Sequence, residues 1–334
     1  MERELEKDAL TTVETKNPRI VNVFTLKQHC RSVVGILLAL LSALSLVMVN
    51  VFAKLCLFLP PFEIGIIRYV IQLVLTIPPV IHANHSLVVC PPKHIVLLAL
   101  RPLLGASGMF TRVYAVQNMP LGDATVLIFT SPVFTAIFGR IFLKERLHWI
   151  YSILLVLCLA GVTLIARPTF IFGHPDSAPE YDNVLIPSLV ALLCAVLTAL
   201  DIVGARVLLE TFKIPSSLVL LYFGLVGLVY SILGSYFDRG FQFPFCQSTD
   251  YLFALCVGIF ASLSQLFLNM ALKCEKAFVV ALARSSGIVF GFVFQIIIYS
   301  LVPSSLSFGG ASLIISCNLF IFILKWYHQN INQL

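Results

Sequence analysis

From Val33 onward the chain alternates long apolar runs with short polar breaks, and the runs show neither two-residue nor one-sided helical alternation. A helix that is apolar all round belongs in lipid or in a very large core. A membrane-spanning helix needs about 20 apolar residues. On that measure ten spans are predicted. The first half holds Val33–Ala53, Phe62–Ile81, Ile95–Gln117, Leu121–Leu143 and Trp149–Ala166. The second holds Leu185–Val207, Ser216–Tyr236, Tyr251–Leu272, Ala277–Leu301 and Leu306–Leu324. The fold class expected is an all-α membrane protein of ten transmembrane helices, arranged as two inverted five-helix repeats.

The repeat shows in the sequence. Ala115 to Thr130 reads AVQNMPLGDATVLIFT and Ala271 to Ser286 reads ALKCEKAFVVALARSS, an offset of 156 residues, close to half the chain. Both segments sit where one long helix ends and the next starts. Five helices per half is an odd number, so the halves insert in opposite senses. That is the inverted-repeat architecture of secondary transporters, with the site near the midplane. The predicted units are residues 1–32 (a cytosolic tail, partly disordered), 33–167 (first repeat), 168–184 (an extracytoplasmic linker loop), 185–325 (second repeat) and 326–334 (a cytosolic tail).

Composition agrees. The chain has 334 residues, 59% hydrophobic and 11% charged, with a mean hydropathy of +0.97. Soluble globular proteins carry about 25% charged residues. The net charge of +6 does not indicate nucleic acid, because the basic residues flank apolar runs and form no patch. With the N-terminus inside, thirteen Lys and Arg residues fall in inside segments, and Lys54, Arg167 and Arg239 fall outside. By the positive-inside rule both termini are cytosolic. The sequon Asn84-His85-Ser86 then lies inside and carries no glycan. Plasma membrane and endoplasmic reticulum both remain open as the location.

The stretch QNMPLGDATVLIFTSPVFTAIFGRIFLKERL, followed by LAGVTLIARP, resembles the EamA-type repeat of the drug/metabolite transporter superfamily. The fuller resemblance is to solute carrier family 35, group G. Ala271-Leu272, Glu275-Lys276-Ala277, Phe290 to Gln295 (FGFVFQ), Val302-Pro303 and Gly309-Gly310-Ala311 carry it into the second half. The resemblance implies two inverted halves working by alternating access. It implies a carrier of small organic anions, with carboxylates such as citrate leading. Its wider relatives carry nucleotide sugars. Two departures stand out: Gly287 occupies a position where family members often carry an acidic residue, and the Glu145 position finds Val302-Pro303 in the second half.

Charge inside a span costs about 2.5–3.5 kcal/mol on the insertion scale and usually faces a cavity. Arg68, Arg101, Arg112 and Arg284 fall within spans, whereas only Asp201 is a deep acid. That excess favours an anionic cargo, which the guanidinium fork suits. Spacing places Arg101, Gly105, Gly108 and Arg112 on one helix face, and Arg284, Gly287, Gly291 and Gln295 on another. Arg68, Gln72 and Thr76 share a third face; Ser262, Gln265, Asn269 and Lys273 a fourth; Cys194, Thr198 and Asp201 a fifth. The substrate-binding candidates are Arg284, Arg68, Arg101, Arg112, Gln72, Gln265 and Asn269. Five of them have a plainer reading. Arg101 and Arg112 could snorkel to an interface. Arg68 could pair with Glu63 or Asp201. Gln265 and Asn269 could bond between helices. Glu145 reads as a loop ion pair among Arg140, Lys144 and Arg146, and Pro132 as the interruption of the fourth span.

Nucleotide-binding, serine-hydrolase and zinc-protease signatures are absent, so no enzyme and no ATP-driven pump is expected. The nine cysteines form no C-x-x-C pair, and no cofactor or metal is expected. The partners expected are a small anionic solute and the bilayer, with room for a homodimer or a membrane-protein partner. Two alternatives stand beside the anion carrier: a nucleotide-sugar exchanger of the Golgi or endoplasmic reticulum, and a non-transporting membrane scaffold.

Overall fold

The computed structural model describes residues 18–56, 59–82, 92–119, 121–145, 149–166, 171, 185–239, 248–299 and 305–331. The sequon at 84–86, Arg167 and Val302-Pro303 lie outside them, as do the side chains of Lys54, Arg239, Gln295 and Trp326. Every regular element among the described residues is helical. The first half contributes α1 (Pro18–Leu55), α2 (Pro61–His82), α3 (Pro92–Asn118), α4 (Leu121–Ile128), α5 (Ser131–Phe142) and α6 (Trp149–Ala166). The second contributes α7 (Leu185–Arg206, prolonged by a π-helical turn Val207–Thr211), α8 (Ser216–Arg239), α9 (Ser248–Cys274), α10 (Ala277–Arg284), α11 (Gly287–Tyr299) and α12 (Ser305–Ile331).

Among the described residues, eight helical stretches are long and apolar enough to cross a membrane, and Ala277–Gly291 and Phe308–Ile323 are shorter apolar helices. Large apolar side chains such as Val74, Ile141, Val156, Leu189 and Leu319 are exposed around the bundle. In a chain of this composition that surface is where lipid lies. Two expectations change. Helix α1 begins at Pro18, inside the segment read as a tail. The ninth span is not continuous, α10 handing over to α11 at Ser285-Ser286; the fourth is interrupted as expected near Pro132, where α4 hands over to α5 at Phe129-Thr130. Pro132 follows the first break and fills the opening turn of α5, where a missing N–H costs nothing.

The two halves repeat residue for residue around these breaks. Asn118 and Cys274 end long helices, Leu121 and Ala277 start short ones, and Ser131 and Gly287 restart them, each pair 156 apart. Packing follows the same exchange. Helix α1 packs on α9 and α7 on α3, while α2 pairs with α8 and α6 with α12. Swapping each element for its counterpart returns the same set of pairs, which is the signature of a pseudo-twofold axis. Side chains obey it. Ser42 of α1 donates to the Ser264 carbonyl of α9 and Ser264 to the Ser42 carbonyl, both at 2.9 Å. Their counterparts, Thr198 and Gly108, also face each other, and Cys194 donates to the Gly108 carbonyl at 3.2 Å.

Helices α6 and α12 cross at two glycines. A Cβ on Gly161 would lie 2.8 Å from Ile314 Cγ1 and 2.9 Å from the Gly310 carbonyl oxygen. In lipid, such small residues let backbones approach and gain dispersion contact.

Candidate functional site

The polar interior is built around α3, α7 and α9. Asp201 lies near the end of α7, and Arg101 lies early in α3, whose antiparallel packing on α7 brings the two level. Arg101 Nε donates to Asp201 Oδ1 at 3.1 Å. Its Nη2 donates to Gln265 Oε1 at 3.2 Å and Asn269 Oδ1 at 3.3 Å, both from α9. The guanidinium also lies over the Phe223 ring of α8, 5.0 Å from its centroid. Arg101 is 1% exposed and Asn269 is 0% exposed. A charge is tolerable there because an opposite charge and two amide oxygens replace its water. Arg101 therefore points inward rather than snorkelling, and its cation is spent on Asp201. Gly105 sits one turn on; its Cβ would lie 3.2 Å from Phe223 and 3.4 Å from Asp201 Oδ1, so glycine leaves room for the pair.

The other three arginines are half-buried around this pair. Arg68 and Arg284 both act electrostatically on Asp201, and Arg284 also lies within reach of Arg112 and Arg101. Arg68 Nη1 meets Met109 Sδ at 3.4 Å, and its guanidinium lies 5.1 Å from the Tyr69 ring centroid. Neither contact supplies a negative charge. Arg284 ends α10, directly before the break, where Ser286 Oγ closes the turn on the Ala283 carbonyl at 2.7 Å. Gln72 is turned to other use: its side-chain amide donates to the Leu220 carbonyl of α8 at 3.1 Å, and its backbone carbonyl accepts from Thr76 Oγ1. The structure thus sorts the candidates. Arg68, Arg112, Arg284 and Gln265 are partly open, while Arg101, Gln72 and Asn269 are sealed between helices.

Among the described residues, the buried side-chain nitrogens without an acceptor are Arg68 Nε, Arg101 Nη1, Asn269 Nδ2 and Arg284 Nε. All four belong to this one cluster. A buried donor left unmet costs about 1–3 kcal/mol; buried oxygens without a donor also occur among the described residues, Gln72 Oε1 of α2 and Glu145 Oε2 among them. No group of three His, Cys, Asp or Glu with metal-holding geometry occurs among the described residues.

Glu145 is the polar contact that spacing did not reveal. Lys144 adopts φ 53° at the end of α5, a left-handed step that folds Glu145 back so that its amide meets the Gly139 carbonyl at 3.2 Å. The Glu145 carboxylate then pairs with Arg206 Nε of α7 at 3.5 Å; Arg146, one of the loop partners expected for it, lies outside the described residues. Arg206 also reaches Glu210 at 3.7 Å and donates to the Leu272 carbonyl of α9. One signal was present in the sequence: both charges end spans expected on the same side of the membrane.

Broken helices, an inverted pairing of halves and a guanidinium-rich interior define a multi-pass membrane transporter of EamA-like architecture. The EamA-like transporter family matches residues 33–167. The chain belongs to the drug/metabolite transporter superfamily, within solute carrier family 35 and similar to its group G. It is 34% identical over 298 residues to solute carrier family 35 member G1 of Homo sapiens, covering 89% of this chain and 80% of that one. The pseudopaline exporter CntI of Pseudomonas aeruginosa is 29% identical, covering 85% and 94%. A riboflavin transporter of Brucella anthropi is 24% identical, covering 79% and 88%. A solved crystal structure at 17% identity has the same fold, with a TM-score of 0.71 over 89% of this chain and 97% of that chain. These relatives are transporters, not enzymes.

Proposed function

We propose that this chain carries small organic anions by alternating access of its two five-helix halves, with both termini in the cytosol. The supporting observation is the set of four unmet buried donors in a cluster whose single deep carboxylate, Asp201, already serves Arg101. Arg284, Arg68 and Arg112 have no ion-pair partner among the described residues, although Asp201 acts on Arg284 and Arg68 at longer range, and a carboxylate-bearing solute supplies acceptors for them. Such hydrogen bonds are charge-assisted and about twice as strong as neutral ones. Arg101, Asn269 and Gln72 hold the helices in place; Arg284, Arg68, Arg112 and Gln265 meet the solute. Di- and tricarboxylates such as citrate fit best, since several carboxylates can face several guanidinium groups at once.

The test is uptake into proteoliposomes from a panel of labelled anions that includes citrate, succinate and nucleotide sugars. Carboxylate uptake that collapses in Arg284→Ala supports the reading. Exchange stimulated by a nucleoside monophosphate, with no carboxylate flux, overturns it in favour of a nucleotide-sugar exchanger. Absence of any flux, with binding to a protein partner unaffected by loss of the arginines, favours the scaffold.

A further inference from the structure

Arg68 is held in place without a counter-charge. Among the described residues no carboxylate lies within ion-pair distance of it. Its Nη1 meets the Met109 thioether of α3 at 3.4 Å, its guanidinium lies 5.1 Å from the Tyr69 ring centroid, and its Nε is buried with no acceptor. A thioether is a weak acceptor, and an aromatic face attracts a cation without cancelling its charge. Tyr69 is itself fixed. It is 2% exposed, and its ring lies against Gly227 of α8, where a Cβ would sit 2.5 Å from Tyr69 Cζ. Gly224 receives Leu73 and Gly234 receives Phe62 in the same way, so α2 and α8 meet along a glycine stripe that seats the ring. Phe223 adjoins Tyr69, with ring centroids 6.1 Å apart, and carries the Arg101 guanidinium. Two neighbouring rings thus carry two guanidinium groups, and only that of Arg101 has a carboxylate against it.

We propose that Tyr69 and Met109 are positioning residues that hold the Arg68 guanidinium as an unneutralised cation for a carboxylate of the solute. The proposal rests on the anion reading and adds to it two residues that act through Arg68. An acid in the place of Met109 would pair with Arg68, as Asp201 pairs with Arg101, and would compete with the solute for it. An aliphatic side chain in the place of Tyr69 would leave the guanidinium without a seat, and its rotamers would have to be ordered when the solute binds. That cost falls on binding and not on the exchange of the two halves. The expected signature is therefore a raised KM with little change in the maximal rate.

The experiment is uptake of labelled citrate, at graded concentrations, into proteoliposomes of the full chain. Tyr69→Leu is expected to raise KM about tenfold and to keep the maximal rate within about twofold of native. Tyr69→Phe keeps the ring and is expected to keep the native KM. In an Arg68→Ala background Tyr69→Leu is expected to change KM no further, because two residues acting through one contact are not additive. Met109→Glu leaves the Tyr69 packing alone and is expected to impair uptake as much as Arg68→Ala does. An equal rise in KM from Tyr69→Leu with and without Arg68 overturns the proposal. So does a native KM in Met109→Glu, which decides the matter even where Tyr69→Leu fails to fold. Either result, with citrate still carried by the native protein, leaves the anion reading standing; a native protein that carries no citrate overturns both.

Discussion

The two broken helices are the same structure with different chemistry. At the first, Thr130 Oγ1 closes the turn on the Leu127 carbonyl at 2.6 Å; at the second, Ser286 Oγ closes it on Ala283 at 2.7 Å. The backbone amides of Thr130 and Ser286 reach those same carbonyls, each at 3.2 Å. All these positions correspond at the 156-residue offset. A break frees backbone groups in a medium without water, and a hydroxyl on the spot satisfies them. Yet the position before each break differs in kind: Ile128 is a buried apolar residue in the first half, and its counterpart in the second is Arg284. Duplication supplied the architecture twice, and one copy supplied the charge.

That contrast can be broken on purpose. Making the second break resemble the first, by Arg284→Ile, is expected to lower initial carboxylate uptake by about tenfold or more, since a charge-assisted hydrogen bond contributes about 1.5–3 kcal/mol. Wild-type uptake by a well-folded Arg284→Ile protein would remove Arg284 from the site. Removing the counter-charge, by Asp201→Asn, leaves Arg101 buried and unpaired. A loss of about 3–5 kcal/mol is expected, read as a drop in melting temperature in detergent. Changing Arg101 to Leu together with Asp201→Asn should recover part of it; an additive double mutant would show that the two do not act as a pair.

Gly161→Ala forces α6 and α12 apart and is expected to cost about 1–3 kcal/mol, measurable in the same melt. An unchanged melting temperature would mean that this crossing is loose. The smallest effects concern the breaks themselves. Thr130→Val and Ser286→Ala each delete one hydroxyl bond and should each cost about 1 kcal/mol. Near-equal costs support the symmetry of the breaks, and a large difference shows that only one of them carries strain.

Much of this was legible in the chain. The apolar runs located the helices because lipid makes every lipid-facing position apolar, and the VQNMPL and LKCEKA turns gave the 156-residue offset that the helix ends then followed. The first break was signalled by Pro132, but the second was not legible. The second lacks proline altogether, and Ser285-Ser286 in an apolar helix reads as ordinary. The arginines were visible as a class but not as individuals. Spacing puts Arg101 and Arg112 on one face of α3, and cannot say that Arg101 meets Asp201, 100 residues away, while Arg112 has no such partner among the described residues. The Glu145–Arg206 pair joins residues that no helical period relates.

The sequence alone thus determined which segments lie in the membrane, that the chain is a doubled unit, and that its interior holds more positive than negative groups. Those properties depend on local composition and on a count of charges. Tertiary structure decided which arginine is neutralised, which donors go unmet, and where the first half touches the second. Those depend on distances of a few ångströms between helices far apart in the chain, and in a low dielectric that distance separates a satisfied ion pair from a guanidinium waiting for an anion.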